Sequence, residues 1–171
     1  MKWSPLAQRI VAWDRVISQR WQKASTGWAY HLATAGAHLG DGWVWVLTLA
    51  LTLALMPATA RPLIWRWMIS MAVAGGITTS IKLSWRRQRP MQRRGFYSQA
   101  YDQHSFPSGH ATRMGTVMVY LPALFPGWGW LVLLLTLWVG WSRVALGVHY
   151  LLDVIAGLAV GFVVSLIVLH L

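Results

Sequence analysis

The sequence predicts an all-α protein: a multi-pass transmembrane helical bundle of about five spans, preceded by an N-terminal amphipathic helix. Of its 171 residues, 56% are hydrophobic, which is too large a share for a soluble domain of this size. Thirteen residues are Trp, and several stand at the ends of apolar segments, where amphipathic rings favour a membrane interface. Since backbone polar groups inside a bilayer must bond to each other, we expect helices, in a single domain over residues 1–171.

Residues 1–27 are predicted to form an amphipathic helix that lies on the membrane surface. Its basic side chains lie off a line of apolar residues that recur at three- and four-residue steps. These apolar residues are Leu6, Ile10, Trp13, Ile17 and Trp21. The segment lacks the continuous apolar core of a cleavable signal peptide. A helix that packs on the protein's own bundle fits the pattern equally well.

Residues 40–171 are predicted to form the bundle. Five segments in this region are long and apolar enough to cross a hydrocarbon core of roughly 30 Å, which takes about 20 helical residues. They cover 40–57, 63–83, 108–125, 128–146 and 150–170. The only long connection, 84–107, is rich in arginine. With five spans, three places lie on the same side of the membrane: the end of the second span, the start of the third span and the junction of the last two spans. Polar residues concentrate in these three places.

The charge balance favours an anionic partner. The formal net charge is +11, with 15 Lys and Arg against four acidic residues, all Asp. A chain this basic fits anionic lipid headgroups or a phosphorylated substrate. Nucleic acid would also attract it, but the apolar segments favour a lipid bilayer, so we predict no nucleic-acid partner. The chain has no cysteine, which excludes disulfides and thiolate chemistry.

The first polar cluster, KLSWRRQRP, ends the second predicted span and contains Lys82 and Arg89. On a continuous helix, residues seven apart lie on one face. Pro90 disfavours a helical conformation at Arg89, so we expect the chain to turn there and fold Arg89 back. Basic residues at a helix end also reach lipid headgroups without any further role, and that is the alternative for this cluster.

The second cluster, PSGH, begins the third predicted span. Ser108 is a good N-cap residue, which would place His110 in the first turn of the helix. The free N–H groups of such a turn form an anion site. The Ser108 hydroxyl and the N–H of Gly109 could both reach phosphate oxygens. A capped helix with an exposed histidine is the simpler alternative.

The third cluster, SRVALGVHYLLD, joins the last two predicted spans and contains Ser142, Arg143, His149 and Asp153. His149 and Asp153 are four residues apart and would be neighbours on one helical face. A carboxylate there can accept the proton of one imidazole nitrogen and leave the other nitrogen ready to attack. A carboxylate in an apolar span costs about 2.5–3.5 kcal/mol on insertion scales, so Asp153 is a functional candidate. A buried pair with a structural role is the alternative.

Together the clusters contain three cations, a helix N-terminus, two histidines and an orienting carboxylate. This combination favours phosphoryl transfer, in which donors must face the charge on the phosphate oxygens. A divalent-metal site would need several carboxylates, and only Asp41 and Asp102 remain on this side. Zinc bound by His104, His110 and His149 is the alternative, but it gives no reason for three cations. We therefore predict no metal or other cofactor.

The three clusters resemble a known signature. Lys82-x6-Arg89-Pro90, Pro107-Ser108-Gly109-His110 and Ser142-Arg143-x5-His149-x3-Asp153 are similar, in order and spacing, to the three-part signature of the type 2 phosphatidic acid phosphatase (PAP2) superfamily. The resemblance runs from about residue 40 to the C-terminus.

The resemblance implies a small bacterial integral-membrane phosphatase, independent of metal, that acts on a lipid phosphate such as undecaprenyl pyrophosphate or phosphatidylglycerophosphate. It implies that His149 attacks phosphorus to form a phosphohistidine, that Asp153 orients His149, and that His110 protonates the leaving oxygen and then activates water. The residues that it implies for holding the phosphate are Lys82, Arg89, Ser108, Gly109 and Arg143.

Other polar residues near these clusters lie outside the signature. Asp102 and His104 are interpreted as substrate contacts or supports of the site, and ordinary loop polarity explains them equally well. We interpret four loop arginines as a basic collar for anionic headgroups or a diphosphate, with solvated loop charge as the alternative. The basic collar consists of Arg86, Arg87, Arg93 and Arg94. His31 and His38 are interpreted as interfacial or packing residues.

Two criteria disagree about which side of the cell (inner) membrane the site faces. With five spans, the basic N-terminal helix and the site share one face and Arg61 and Arg66 lie on the other, so the positive-inside rule would place the site in the cytoplasm. The resemblance favours the outer, periplasmic face, and we adopt it because arginines of the site distort the count.

Two functions of other classes remain as alternatives. The same signature binds vanadate in haloperoxidases, so an oxidoreductase is one of them, although those relatives are soluble. The other is a non-enzymatic lipid-binding scaffold in the membrane, which explains the charge and the Trp content. It does not explain a carboxylate four residues after a histidine within an apolar segment.

Overall fold

The structure is a computed structural model that describes residues 4–90 and 103–171. Within these residues all regular structure is helical, and the predicted all-α class is confirmed. A short 3-10 turn at Ala58–Ala60 precedes α4. The seven α-helices are α1 Pro5–Ala24, α2 Trp28–Leu39, α3 Gly42–Leu55, α4 Arg61–Trp85, α5 Gly109–Leu124, α6 Gly129–Ala145 and α7 Leu151–Leu169.

Helix α4 covers the predicted span 63–83, but the chain turns before Arg89, where the sequence predicts the turn. The turn was expected at Arg89, before Pro90, but the chain leaves the helix at Arg86, whose φ of 48° is left-handed. The N–H of Arg86 donates to the carbonyl of Lys82 at 3.1 Å, which closes the last turn. A residue in this conformation just after the last turn is a common helix ending. Arg89 therefore lies after α4, in a segment without regular secondary structure.

Helix α2 is an element that the sequence reasoning missed. It has only 12 residues, too few for a span, and it lies between Gly27 and Gly40. Its small buried residues Ala33 and Ala37 pack against the end of α6. Helices α2 and α3 are bent by 49° relative to each other at the break between them. The first predicted span, 40–57, therefore corresponds to helix α3 alone, and the shorter helix α2 precedes it.

Helix α1 packs on the bundle through its polar face. Its buried residues are Asp14 and Ser18, whereas Leu6 and Trp13 of the apolar line are 68% and 61% exposed. Trp21, at the end of that line, packs against a core cluster of α5, α6 and α7. The two predicted arrangements, on the membrane or on the bundle, are thus compatible. The polar face contacts the protein and most of the apolar line faces outward.

The core contains aromatic rings joined by hydrogen bonds between α4 and α5. Trp67 and Tyr120 are fully buried, and their rings are stacked with centroids 6.2 Å apart. The Tyr120 hydroxyl is 2.8 Å from that of Ser70, and the Trp67 indole N–H donates to Thr116 at 3.3 Å. Because buried polar atoms are costly without partners, these bonds fix how α4 sits on α5.

Helices α5 and α7 approach each other so closely that only glycine fits at the contact. A Cβ at Gly161 would overlap the carbonyl oxygen of Thr112, and one at Gly115 would overlap that of Leu158. Small residues of this kind let helix backbones pack closely in membrane bundles. The contact holds the start of α5, with His110, beside the start of α7, with Asp153.

Among the described residues, one helix is long and apolar enough by itself to cross a membrane. It is α7, with a mean hydropathy of 2.6 over its most apolar window. Helices α2 and α3 meet the same criterion only as a bent pair, and α6 is a shorter apolar helix. Helices α3 to α7 match the five predicted spans in position. That all five cross a membrane stays a prediction.

We expect Gly161→Ala to lower the free energy of unfolding by about 1–3 kcal/mol, because the added methyl group must push α7 away from α5. The matched control is Gly76→Ala in α4, where a Cβ meets nothing within 4 Å. It should leave the stability unchanged or raise it by about 0.5–1 kcal/mol, since alanine favours a helix. Thermal unfolding in detergent, followed by circular dichroism, measures both. Equal melting temperatures for the two variants would contradict the close contact.

Candidate active site

Backbone contacts bring the three polar clusters together at one end of the bundle. The N–H of Ser105 donates to the carbonyl of Arg87 at 2.8 Å, which joins the first cluster to the segment before PSGH. The N–H of Ser108 donates to the carbonyl of Asp153 at 2.9 Å. The guanidinium of Arg89 donates to the carbonyl of Val148 at 3.1 Å. Each cluster is thus hydrogen-bonded to another, as the sequence predicts for a common site.

His149 lies in the turn between α6 and α7 and is 1% exposed. Gly147, with a φ of 69°, reverses the chain after α6, and the N–H of His149 donates to the carbonyl of Arg143 at 3.1 Å. The ring nitrogen Nδ1 is 2.7 Å from the carbonyl oxygen of Ser105. A carbonyl can only accept, so Nδ1 carries the hydrogen. In the neutral ring the lone pair is therefore on Nε2, the nitrogen that can attack an electrophile.

The predicted hydrogen bond between Asp153 and His149 is wrong. The sequence reasoning placed both residues on one helix, but α7 begins at Leu151 and His149 precedes it. Asp153 is in the first turn, where its Oδ2 accepts the N–H of Tyr150 at 2.8 Å and lies 3.7 Å from Nδ1 of His149. That distance is too long for a hydrogen bond but short enough for the carboxylate to attract a charged imidazole.

Arg87 does not belong to the basic collar, because its side chain is only 17% exposed and pairs with two carboxylates. One terminal nitrogen donates to Oδ1 of Asp153 at 2.6 Å, and the other donates to Oδ2 of Asp14 at 2.7 Å. The guanidinium also lies over the ring of Tyr150, 4.1 Å from its centroid. Arg86 is exposed as expected, and Arg93 and Arg94 lie outside the described residues.

His110 lies in the first turn of α5, as predicted, and Ser108 caps this helix by accepting the N–H of Ala111 at 3.4 Å. Nε2 of His110 is 2.9 Å from Oδ1 of Asp41. Arg113 approaches the other nitrogen, Nδ1, at 3.3 Å. Since a guanidinium can only donate, Nδ1 accepts in this arrangement and Nε2 carries the hydrogen that it donates to Asp41.

Asp41 is a site residue that the sequence reasoning did not assign. It is buried at the break between α2 and α3, and its second oxygen is 3.0 Å from Nδ1 of His38. A buried carboxylate is costly unless it is paired, and Asp41 contacts two histidines. Its position directly before an apolar segment was the only signal in the sequence. Nothing there indicates its pairing with His110, which is 69 positions away.

A cavity of about 370 Å³ lies between α4 and α5 and extends to the start of α5. Its wall includes two of the predicted phosphate-binding residues, Lys82 and Gly109, and also His104 and Arg113. Lys82 is buried, and so is Arg143, another of the three cationic residues predicted to bind the phosphate. Asp102 lies outside the described residues. Over 4–90 and 103–171, no three His or Asp side chains are grouped so that they could hold a metal ion.

Comparisons with known proteins show the family of the chain. The model of the PAP2 superfamily matches residues 63–171, more than half of the chain and all three clusters. A protein of Escherichia coli strain K12 named "Putative undecaprenyl-diphosphatase YbjG" is 31% identical, and the match covers 72% of each chain. The resemblance predicted from the sequence is confirmed.

Two further similarities are limited, the first in the length that it covers and the second in sequence identity. A protein of Rhizobium johnstonii named lipid A 1-phosphatase is 44% identical over 63 residues, which are 37% of this chain and about a quarter (26%) of that relative's length. The crystal structure of a transmembrane PAP2-type phosphatidylglycerolphosphate phosphatase from Bacillus subtilis superposes with a TM-score of 0.78. It is 19% identical, and the match covers 95% of this chain and 85% of the other. This similarity shows a common fold.

We expect a tetrahedral oxyanion to bind at the cations and to raise the melting temperature. Orthovanadate and inorganic phosphate, each at about 100 times its Kd, should stabilise the folded protein by roughly 2.7 kcal/mol. Lys82→Met and Arg143→Met should abolish the shift. Arg61→Gln, at the opposite end of α4 from Lys82, is the control and should keep it. A shift of the same size in all variants would mean that the anion binds elsewhere.

Proposed function

The chain belongs to the PAP2 superfamily, and on this premise we propose that it is an integral-membrane lipid phosphatase. It hydrolyses a phosphate monoester or pyrophosphate on a lipid through a phosphohistidine intermediate. The observation that carries the proposal is the bond from Nδ1 of His149 to the carbonyl of Ser105, at 2.7 Å. It leaves the lone pair of a buried imidazole on Nε2, at the end of the bundle where the predicted phosphate-binding residues also lie.

In the first step, Nε2 of His149 attacks phosphorus and a P–N bond forms as the P–O bond to the leaving group breaks. The leaving oxygen takes a proton from His110. Asp41, bonded to Nε2 of His110, stabilises the imidazolium form, so the proton leaves from Nδ1. Nδ1 faces Arg113 in the structure, so this step requires that the guanidinium turns away from Nδ1, toward the phosphate, when substrate binds. Asp153, 3.7 Å from Nδ1 of His149, stabilises the positive charge that develops on the attacking ring.

In the second step, water attacks phosphorus and the P–N bond breaks. His110, now neutral, accepts the proton of the water, and His149 returns to its starting form. In the transition states of both steps, negative charge is spread over the three equatorial phosphate oxygens. Lys82, Arg89 and Arg143 neutralise it, together with the N–H groups at the start of α5 and the Ser108 hydroxyl. These groups provide the positive charge that a divalent cation would otherwise supply, together with hydrogen-bond donors, so we propose a reaction independent of metal.

The substrate is proposed to be a lipid phosphate, because the relatives are named for a lipid A phosphate, undecaprenyl diphosphate and phosphatidylglycerolphosphate. What these compounds share is a phosphate on a lipid. We propose the cell (inner) membrane as the location, with the site at the membrane–water interface on the outer, periplasmic face. The exposed apolar face of α1 and the apolar helix α7 support a place in the bilayer.

We expect detergent-solubilised protein to release phosphate in the presence of EDTA. The panel contains undecaprenyl pyrophosphate, phosphatidylglycerophosphate, phosphatidic acid and a lipid A 1-phosphate donor. His149→Ala should abolish release from every lipid, because it removes the attacking nitrogen. Arg61→Gln should release phosphate at the wild-type rate. Equal release by His149→Ala would contradict the proposal, and so would no release from any lipid, which would favour a lipid-binding scaffold.

Activity should also depend on pH in a bell shape. His149 must be neutral to attack, whereas His110 must be protonated to donate to the leaving oxygen, so the rate should fall at both low and high pH. Initial rates of phosphate release between pH 4 and 10 measure the profile. Asp41→Asn should move the high-pH limb toward lower pH, because the imidazolium of His110 loses its carboxylate partner. A high-pH limb that does not move would argue against His110 as the acid.

A further inference from the structure

Helix α1 has two polar residues buried in an otherwise accessible helix. Asp14 is 1% exposed and Ser18 is fully buried, and because they are four residues apart they lie on the same face. A carboxylate in such a place is strongly destabilising unless hydrogen bonds and an opposite charge compensate for the loss of water. The partners of Asp14 therefore indicate what the residue does.

One oxygen of Asp14 caps helix α7. Oδ1 accepts the N–H of Leu152 at 3.0 Å, and Ser18 accepts the N–H of Leu151 at 3.1 Å. The first N–H groups of a helix have no partner within it, and a negative charge near them is favourable. Helix α1 thus provides side-chain acceptors for the first turn of α7, the turn that contains Asp153.

The other oxygen of Asp14 holds Arg87. Oδ2 accepts one terminal nitrogen of Arg87 at 2.7 Å, and the second terminal nitrogen of the same guanidinium donates to Oδ1 of Asp153 at 2.6 Å. A guanidinium is rigid and planar, so fixing one of its nitrogens also fixes the direction of the other. Arg87 can therefore transmit the position of Asp14 to the carboxylate of Asp153.

We propose that Asp14 is a positioning residue for the reaction of this site. It fixes the Asp153 carboxylate twice, once through Arg87 and once through the backbone of α7, so that the carboxylate stays 3.7 Å from the ring of His149. Helix α1 is then part of the catalytic apparatus as well as an amphipathic surface helix. This inference rests on the proposed phosphatase function.

The test compares Asp14→Asn with Arg9→Gln. The amide keeps an oxygen for the N–H of Leu152 but loses the charge that faces Arg87. We expect kcat for phosphate release to fall roughly 10- to 100-fold, the range that small displacements of a reacting group produce. KM should change less than about twofold, because the cations that bind the phosphate are unaltered. Arg9→Gln removes a charge from the exposed face of the same helix and should leave kcat unchanged.

A second pair of variants separates positioning from stability. If Asp14 acts through Arg87, then Asp14→Asn should have no further effect on kcat in an Arg87→Met protein. Two independent structural effects would instead multiply. Each kcat is calculated as the maximal rate divided by the concentration of sites that bind orthovanadate, so that unfolded protein is not counted as enzyme. Ser18→Ala removes a cap of α7 without touching Arg87, and it should lower the melting temperature with a smaller loss of kcat than Asp14→Asn.

The outcomes distinguish this inference from the proposed function. Wild-type protein that releases no phosphate from any lipid would contradict the proposed function itself. Active wild type with an unchanged kcat in Asp14→Asn would overturn only the role of Asp14. A loss of kcat in Asp14→Asn that is just as large in the Arg87→Met background would also overturn it.

Discussion

The arrangement of the site depends on the close contact between helices α5 and α7. Glycines at 115, 157 and 161 let the two backbones approach to a distance that no larger residue permits. At the end of this contact, the N–H of Ser108 bonds to the carbonyl of Asp153. The start of α5, where we propose that the phosphate binds, and the acidic first turn of α7 are therefore held side by side before any substrate binds. This rigidity allows donors to face the phosphate without reorganisation.

Buried carboxylates hold the groups that we propose to be catalytic. Each of the three described Asp residues is buried and contacts a basic group: Asp14 and Asp153 share Arg87, and Asp41 contacts two histidines. In surroundings of low polarity, such pairs are costly to form and still more costly to break. The chain has no Glu and few acidic residues, and those described here lie at the site rather than on the surface.

The sequence predicted what depends on local patterns. Apolar periodicity located the long helices to within a few residues, and the PSGH motif correctly indicated that Ser108 caps α5. The sequence did not indicate which residues distant along the chain are in contact. In the sequence, Asp14 is indistinguishable from a solvated charge on an amphipathic helix, and Arg87 resembles its neighbour Arg86. The predicted spans 128–146 and 150–170 did leave Gly147 and His149 in the junction between them, but the sequence did not show that the turn at Gly147 prevents His149 and Asp153 from sharing a helical face.

Two of the helices that begin at the site, α3 and α5, are shorter than α7, which has 19 residues and also begins there. Helix α3 has 14 residues and α5 has 16, which at a rise of about 1.5 Å per residue gives lengths of roughly 21 and 24 Å. The hydrocarbon core of a typical bilayer is roughly 30 Å thick. If the bundle crosses a bilayer as proposed, with its far end among the headgroups of one leaflet, α3 and α5 would begin below the headgroups of the other leaflet, and a thinner bilayer beside them would relieve the mismatch. Such hydrophobic mismatch would bring the headgroups of the other leaflet down to the level of the histidines, and a lipid would present its phosphate while its chains remained in the membrane.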